Sequence, residues 1–202
     1  MQNEALAEEI AAAVVAACAP HGVPVTLKMR TGWCEAHKNA VALARRFEAV
    51  GVQMLTIHGR TREQGYKGQA EYATVAAVKQ AVRIPVVVNG DITSPQTAQA
   101  ALQASGADAL MVGRAAQGRP WIFREIAHYL ATGQHLAPPL VEEGRGRAPP
   151  QRHPGRLRRA NPGRERLFFA PRPADGAPAP RQACDCTGRK PFDFGENLAS
   201  CV

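Results

Sequence analysis

Four short apolar segments of this chain end in residues able to do chemistry. They end in Lys28-Met29-Arg30, in His58-Gly59-Arg60, in Asn89-Gly90-Asp91 and in Gly113-Arg114. Glycine lets a backbone approach a ligand closely, and neighbouring N–H groups can then grip phosphate oxygens. Arg114 adds a cation of bidentate geometry. Gly113-Arg114 alone fits an ordinary strand-to-helix turn equally well. Its value rises because Asn89-Gly90-Asp91 stands in the same place after the preceding apolar segment. Lys28 lies near the end of an apolar segment, where a lysine is costly unless something negative pairs with it. A single histidine such as His58 is more often a satisfied core or rim residue than a ligand. The set of four is far more specific than any member. It suits a phosphorylated, electron-accepting cofactor, beside which a lysine can stabilise the negative charge of a reduced ring.

These residues need elements to hold them. Glu4, Glu8 and Glu9 suit the start of a helix over 3–19, which Pro20 and Gly22 stop. Strands are expected at 24–30, 52–58, 84–88 and 107–112, each apolar on both faces. Helices are expected at 35–50 and 71–82, from a Thr93 cap with Pro95 in the first turn to about Ser105, and from near Pro120 to about Leu130, ended by Gly133. Short apolar strands alternating with helices predict an α/β fold with a parallel sheet, either doubly wound or a barrel. Both place their chemistry at the carboxyl ends of the strands. Barrels often bind phosphate with the loops after strands 7 and 8. The last two strands here carry such loops, so the four become strands 5–8, the C-terminal half of a (β/α)8 TIM barrel. The length agrees: 202 residues fall short of the roughly 250 of a complete barrel.

The pattern ends early. From about Gly144 neither a period of 2 nor of 3.6 persists, and Arg, Pro and Gly dominate. Such sequence buries too little apolar area to offset its ordering entropy. The chain thus divides into a half-barrel at 1–133 and a disordered tail at 134–202, with Leu167, Phe168 and Phe169 an isolated apolar cluster. The abrupt change is the composition expected of a GC-rich gene read in another frame. The formal charge is +8 and the pI near 9.7, which favours polyanions such as RNA. The five cysteines are irregularly spaced, and Cys184 and Cys186 stand too close for a zinc knuckle. No metal site is expected. With no signal peptide and no run of about 18 apolar residues, the chain reads as cytoplasmic with reduced thiols.

Residues 24–33 (PVTLKMRTGW), 55–72 (LTIHGRTREQGYKGQAEY), 84–92 (IPVVVNGDI) and 106–123 (GADALMVGRAAQGRPWIF) resemble the tRNA-dihydrouridine synthases, most closely the bacterial B-type, over roughly residues 1–143. The resemblance implies an FMN-binding barrel in which NADPH reduces the flavin, the flavin passes a hydride to a uracil of tRNA, and a cysteine protonates the ring to give 5,6-dihydrouridine. Lys28 matches a flavin-contacting lysine and His58 a histidine at the FMN site. Asn89, Gly90 and Asp91 match the first phosphate loop, and Gly113 and Arg114 the second. No stretch of this sequence matches the family's Asn-x-Gly-Cys-Pro motif. Cys18 and Cys34 lack its context, so no catalytic residue is assigned and the chain alone is expected to be inactive. Two other readings stand beside this one: a non-catalytic RNA-binding piece using its basic tail, and another FMN-dependent barrel oxidoreductase.

Overall fold

A computed structural model describes residues 1–137 and the backbone of 166–168. Helix α1 (Glu4–Cys18) starts where Asn3 Oδ1 accepts the Leu6 N–H at 3.0 Å. It is followed by β1 (Thr26–Arg30), α2 (Ala40–Ala49), β2 (Met54–His58), α3 (Ala73–Ala81), β3 (Val86–Asn89), α4 (Pro95–Ser105), β4 (Ala109–Val112) and α5 (Ile122–Thr132). β1 to β4 pair in sequential order and all in parallel, as the alternation of elements predicts.

Alternate strand residues go to opposite faces. Met29, Leu55, Ile57, Val86, Val88, Leu110 and Val112 join one core with Leu43 and Phe47 of α2, Val75 and Val78 of α3, Ala98 and Ala101 of α4, and Ile122 and Ile126 of α5. The described helices therefore pack on one face of the sheet. The opposite face holds a smaller cluster of Met54, Val87, Ala109 and Met111. A doubly wound sheet carries helices on both faces; among the described residues one face is covered.

Four expectations need correction. Ser94, not Thr93, caps α4: its hydroxyl accepts the Thr97 N–H, while Thr97 Oγ1 accepts the Ser94 N–H. That reciprocal box satisfies two orphan N–H groups, which a Thr93 cap would not do. The helix expected over 35–50 is a 3₁₀ turn at Glu35–His37, a break, and then α2. The break arises where Gly32 and Lys38 bridge and Trp33 N–H donates to His37 O. β1 is not buried on both faces, and Thr26 and Lys28 are exposed. It lies at the edge of the sheet, with β2 as its one strand neighbour among the described residues. Finally, Arg166–Phe168, placed in the disordered tail, form a fifth strand β5 antiparallel to β4, with Leu110 opposite Phe168 and Val112 opposite Arg166. β4 would otherwise present an edge of unpaired N–H and C=O groups, and a short β-prone segment can cover it. Residues 138–165 and 169–202, where the rest of the tail expectation falls, lie outside the described residues. None of the described helices is long and apolar enough to cross a membrane.

Candidate cofactor site

The parallel register builds the site. Arg30 stands level with His58, His58 with Asn89, and Asn89 with Met111. Side-chain alternation sends all four away from the helix layer. The result is a row of polar groups across three strand ends, on the face opposite the main core. Lys28 lies one same-face step back from Arg30, level with Thr56.

His58 is buried, with 4% of its surface exposed. Burial pushes its pKa down to about 4, and the positive charges of Arg30, Lys28 and Arg60 push in the same direction against Asp91. The imidazole is therefore neutral at pH 7. An unfolded histidine takes up its proton near pH 6.5, the folded His58 near 4. Stability is full above pH 6.5 and is lost as pH falls toward 4, by about 2–3 kcal/mol. Urea unfolding at pH 7.5 and 4.5 should show this loss, and His58→Gln should lose about 2 kcal/mol less over the same interval. Equal losses in both proteins would show that another group is responsible.

Asn89 donates from Nδ2 to Met111 O at 2.9 Å, which ties β3 to β4, while its Oδ1 is buried without a partner. Gly90 has φ +124°, and a Cβ there would stand 2.7 Å from Ala70 Cβ and 3.1 Å from His58 Cδ2. Only glycine suits that backbone and that space. Tyr72 Oη donates to Gly90 O at 2.8 Å. Asp91 is the one non-glycine residue with positive φ, 52°, among the described residues. Its carboxylate accepts Arg60 Nη2 at 2.8 and 2.7 Å and the Ala70 N–H at 2.7 Å. Burial raises its pKa, but the Ala70 N–H and the Arg60 guanidinium outweigh that and hold it below the ordinary value.

Gly113 leads into a 3₁₀ turn at Arg114–Ala116. Ala116 N–H is the first to bond back, to Gly113 O, so the turn opens with the N–H groups of Arg114 and Ala115 ahead of any intra-turn partner. Arg114 is 62% exposed at the side chain, with Nη2 3.7 Å from Asp91 Oδ1. Its guanidinium carbon sits 4.7 Å from the centroid of the Tyr66 ring.

The structure thus brings His58, Asn89, Gly90, Asp91 and Arg114 together and keeps Lys28 close enough to act on His58 by charge. Three further residues belong to the same constellation. Arg60, nearly inaccessible, ties Asp91 to Lys67 O and Gly68 O. Arg30 Nη1 donates to Thr61 O at 2.7 Å and Gly65 O at 2.8 Å. Tyr66 stands on the loop these two arginines grip. The parity of positions 28 and 30 was a usable signal for Arg30, since both leave β1 on one face. No local signal marked Tyr66.

The family model described as Dihydrouridine synthase (Dus) matches residues 1–154. tRNA-dihydrouridine synthase B of Pseudomonas putida is 57% identical over 143 residues, 71% of this chain and 42% of the relative. The enzyme of the same name from Pectobacterium carotovorum is 59% identical over 143 residues, 70% of this chain and 44% of the relative. That from Salmonella typhimurium is 62% identical over 121 residues, 59% and 38%. The chain spans less than half the length of these curated relatives. With a family model matched over most of its residues, the chain belongs to the dihydrouridine synthase family.

Proposed function

We propose that this chain is the cofactor-binding C-terminal half, strands 5–8, of a (β/α)8 barrel that reduces uridine in tRNA to 5,6-dihydrouridine with FMN and NADPH, in the cytoplasm. The observation that carries the reading is the charge balance at the strand ends. Arg30, Lys28 and Arg60 act by charge on His58, and Arg60 and Arg114 act on Asp91. A site so weighted favours an anionic ligand. One-sided helix cover supports a barrel wall, and the polar row at the strand ends supports a ligand at its C-terminal mouth.

The residues fit FMN. The partnerless Asn89 Oδ1 is an acceptor, and FMN offers donors in its ribityl hydroxyls and ring N–H. Gly90 and the opening of the Arg114–Ala116 turn leave backbone close to a ligand, and Arg114 adds the phosphate charge partner. Asp91 carries Arg60, so its contribution to phosphate binding runs through the backbone. Lys28 supplies positive charge toward the ring. His58, neutral at pH 7, offers a hydrogen bond without adding charge. Bound FMN would supply hydride transfer; this chain's residues bind, orient and set the local charge. Turnover by these residues alone is not expected, since no cysteine here stands in the family's proton-donor motif.

The test compares FMN with riboflavin, which lacks the phosphate. A charge-assisted hydrogen bond contributes about 1.5–3 kcal/mol, so FMN should bind about tenfold or more tightly. Arg114→Ala should narrow that gap, because it removes a contact only FMN can make. Fluorescence quenching of both flavins reads the result. Equal binding of FMN and riboflavin by the unmutated protein would overturn the phosphate assignment. No flavin binding at all would favour the RNA-binding reading.

A further inference from the structure

We infer that Tyr66 is a positioning residue for the phosphate arginine: its ring holds the Arg114 guanidinium over the site and so contributes to selection of phosphorylated over unphosphorylated flavin. The inference rests on the phosphate assignment above and extends it to a residue outside the strand ends.

Tyr66 stands on the loop after β2, on the side of the strand ends. The loop beneath it is built firmly. Arg30 takes the carbonyls of Thr61 and Gly65, and Arg60 takes those of Lys67 and Gly68. Thr61 N–H donates to Gln64 Oε1, and Lys67 N–H to Gln64 O. The loop also docks on the loop after β1, with Arg62 N–H on Gly32 O and Glu63 N–H on Trp33 O. Tyr66 therefore projects from a fixed frame. Its ring faces two guanidinium groups, Arg114 at 4.7 Å and Arg30 at 5.8 Å.

Arg114 needs such a restraint. At 62% exposure its long side chain would otherwise sample many rotamers, and ordering them costs binding free energy. Among the described residues Asp91 is the other group beside it, at 3.7 Å, but that carboxylate is already engaged by Arg60 and the Ala70 N–H. A cation over an aromatic face leaves the guanidinium N–H groups in its plane free to meet an anion, which a full ion pair would consume.

The test is a double-variant cycle on the complete chain, reading the ratio of FMN to riboflavin affinity by flavin fluorescence. Tyr66→Leu should shrink that ratio about two- to fivefold, the range of an exposed cation–π contact. Tyr66→Phe, which keeps the ring, should hold it at the unmutated value. Tyr66→Leu combined with Arg114→Ala should shrink it no further than Arg114→Ala alone, because the ring acts through the arginine. Circular dichroism melts of each variant serve as the folding control, and this exposed position should leave them unchanged. A full ratio in Tyr66→Leu, or losses that simply multiply in the double variant, would overturn the inference and leave the phosphate assignment standing. No ratio in the unmutated protein would overturn both.

Discussion

Asp91→Ala is expected to destabilise the protein by about 2–3 kcal/mol, because it takes the carboxylate from a buried guanidinium. Arg60 is the reason. Its side chain is 3% exposed, and a guanidinium cannot shed its charge by deprotonation. Removing the carboxylate strands that charge in the protein beside a histidine already held neutral, and it leaves the Ala70 N–H without its acceptor. Asp91→Asn should cost less, since the amide oxygen can still accept one bond. Urea unfolding followed by far-ultraviolet circular dichroism measures both. The pH dependence has a defined sign. Because the Asp91 pKa is depressed in the folded state, its contribution is present above the unfolded value near 3.9 and is lost only as pH falls through the lower folded value. This acid-range loss lies below the His58 window and is separable from it. A loss under about 1 kcal/mol for Asp91→Ala would mean that the pair is solvated like a surface bridge.

Gly59→Ala is expected to be comparably damaging, for a steric reason. A Cβ at residue 59 would stand 2.3 Å from the Glu71 carbonyl oxygen and 3.1 Å from its nitrogen. These are backbone atoms and cannot swing aside. Nor can residue 59 retreat, because its N–H donates to Asn89 O at 2.9 Å and its carbonyl accepts the Glu71 N–H at 2.7 Å. Relief must come from moving the start of α3 or the end of β2. Overpacking of this kind costs about 3 kcal/mol, and a melting temperature lower by roughly 10 °C is the expected readout. The same shift would disturb Gly90 through Ala70, so flavin affinity should fall together with stability. A variant with unchanged melting temperature would show that this approach of the two chain segments relaxes without cost.

How much of this was readable without a structure depends on the range of the interactions involved. Strand and helix identity is local. Phe47, Leu43, Ala44 and Ala40 recur at helical spacing and are all buried on α2, and Gly106 and Gly133 end α4 and α5 in the left-handed region. Parallel pairing follows from the alternation of elements, and the strand-end positions of Lys28, His58, Asn89 and Arg114 follow from the boundaries. Local signals were too coarse at α2 and α4. The Ser94 box competes with a Thr93 cap one residue away, and the turn before α2 is set by a bridge to Gly32 rather than by the residues within it.

Tertiary structure decided what the polar residues do to one another. The sequence by itself determined an α/β chain with cations and glycines at successive strand ends, because apolar periodicity and turn chemistry act over a few residues. It could not show that register places Arg30 beside His58, or that Asp91 is bound by an arginine 31 residues earlier. It did not reveal that Tyr66 reaches Arg114, nor that Arg166–Phe168 would pair with β4. Each of these contacts joins segments far apart in the chain, and their geometry exists only once the parallel sheet has set the spacing between strand ends.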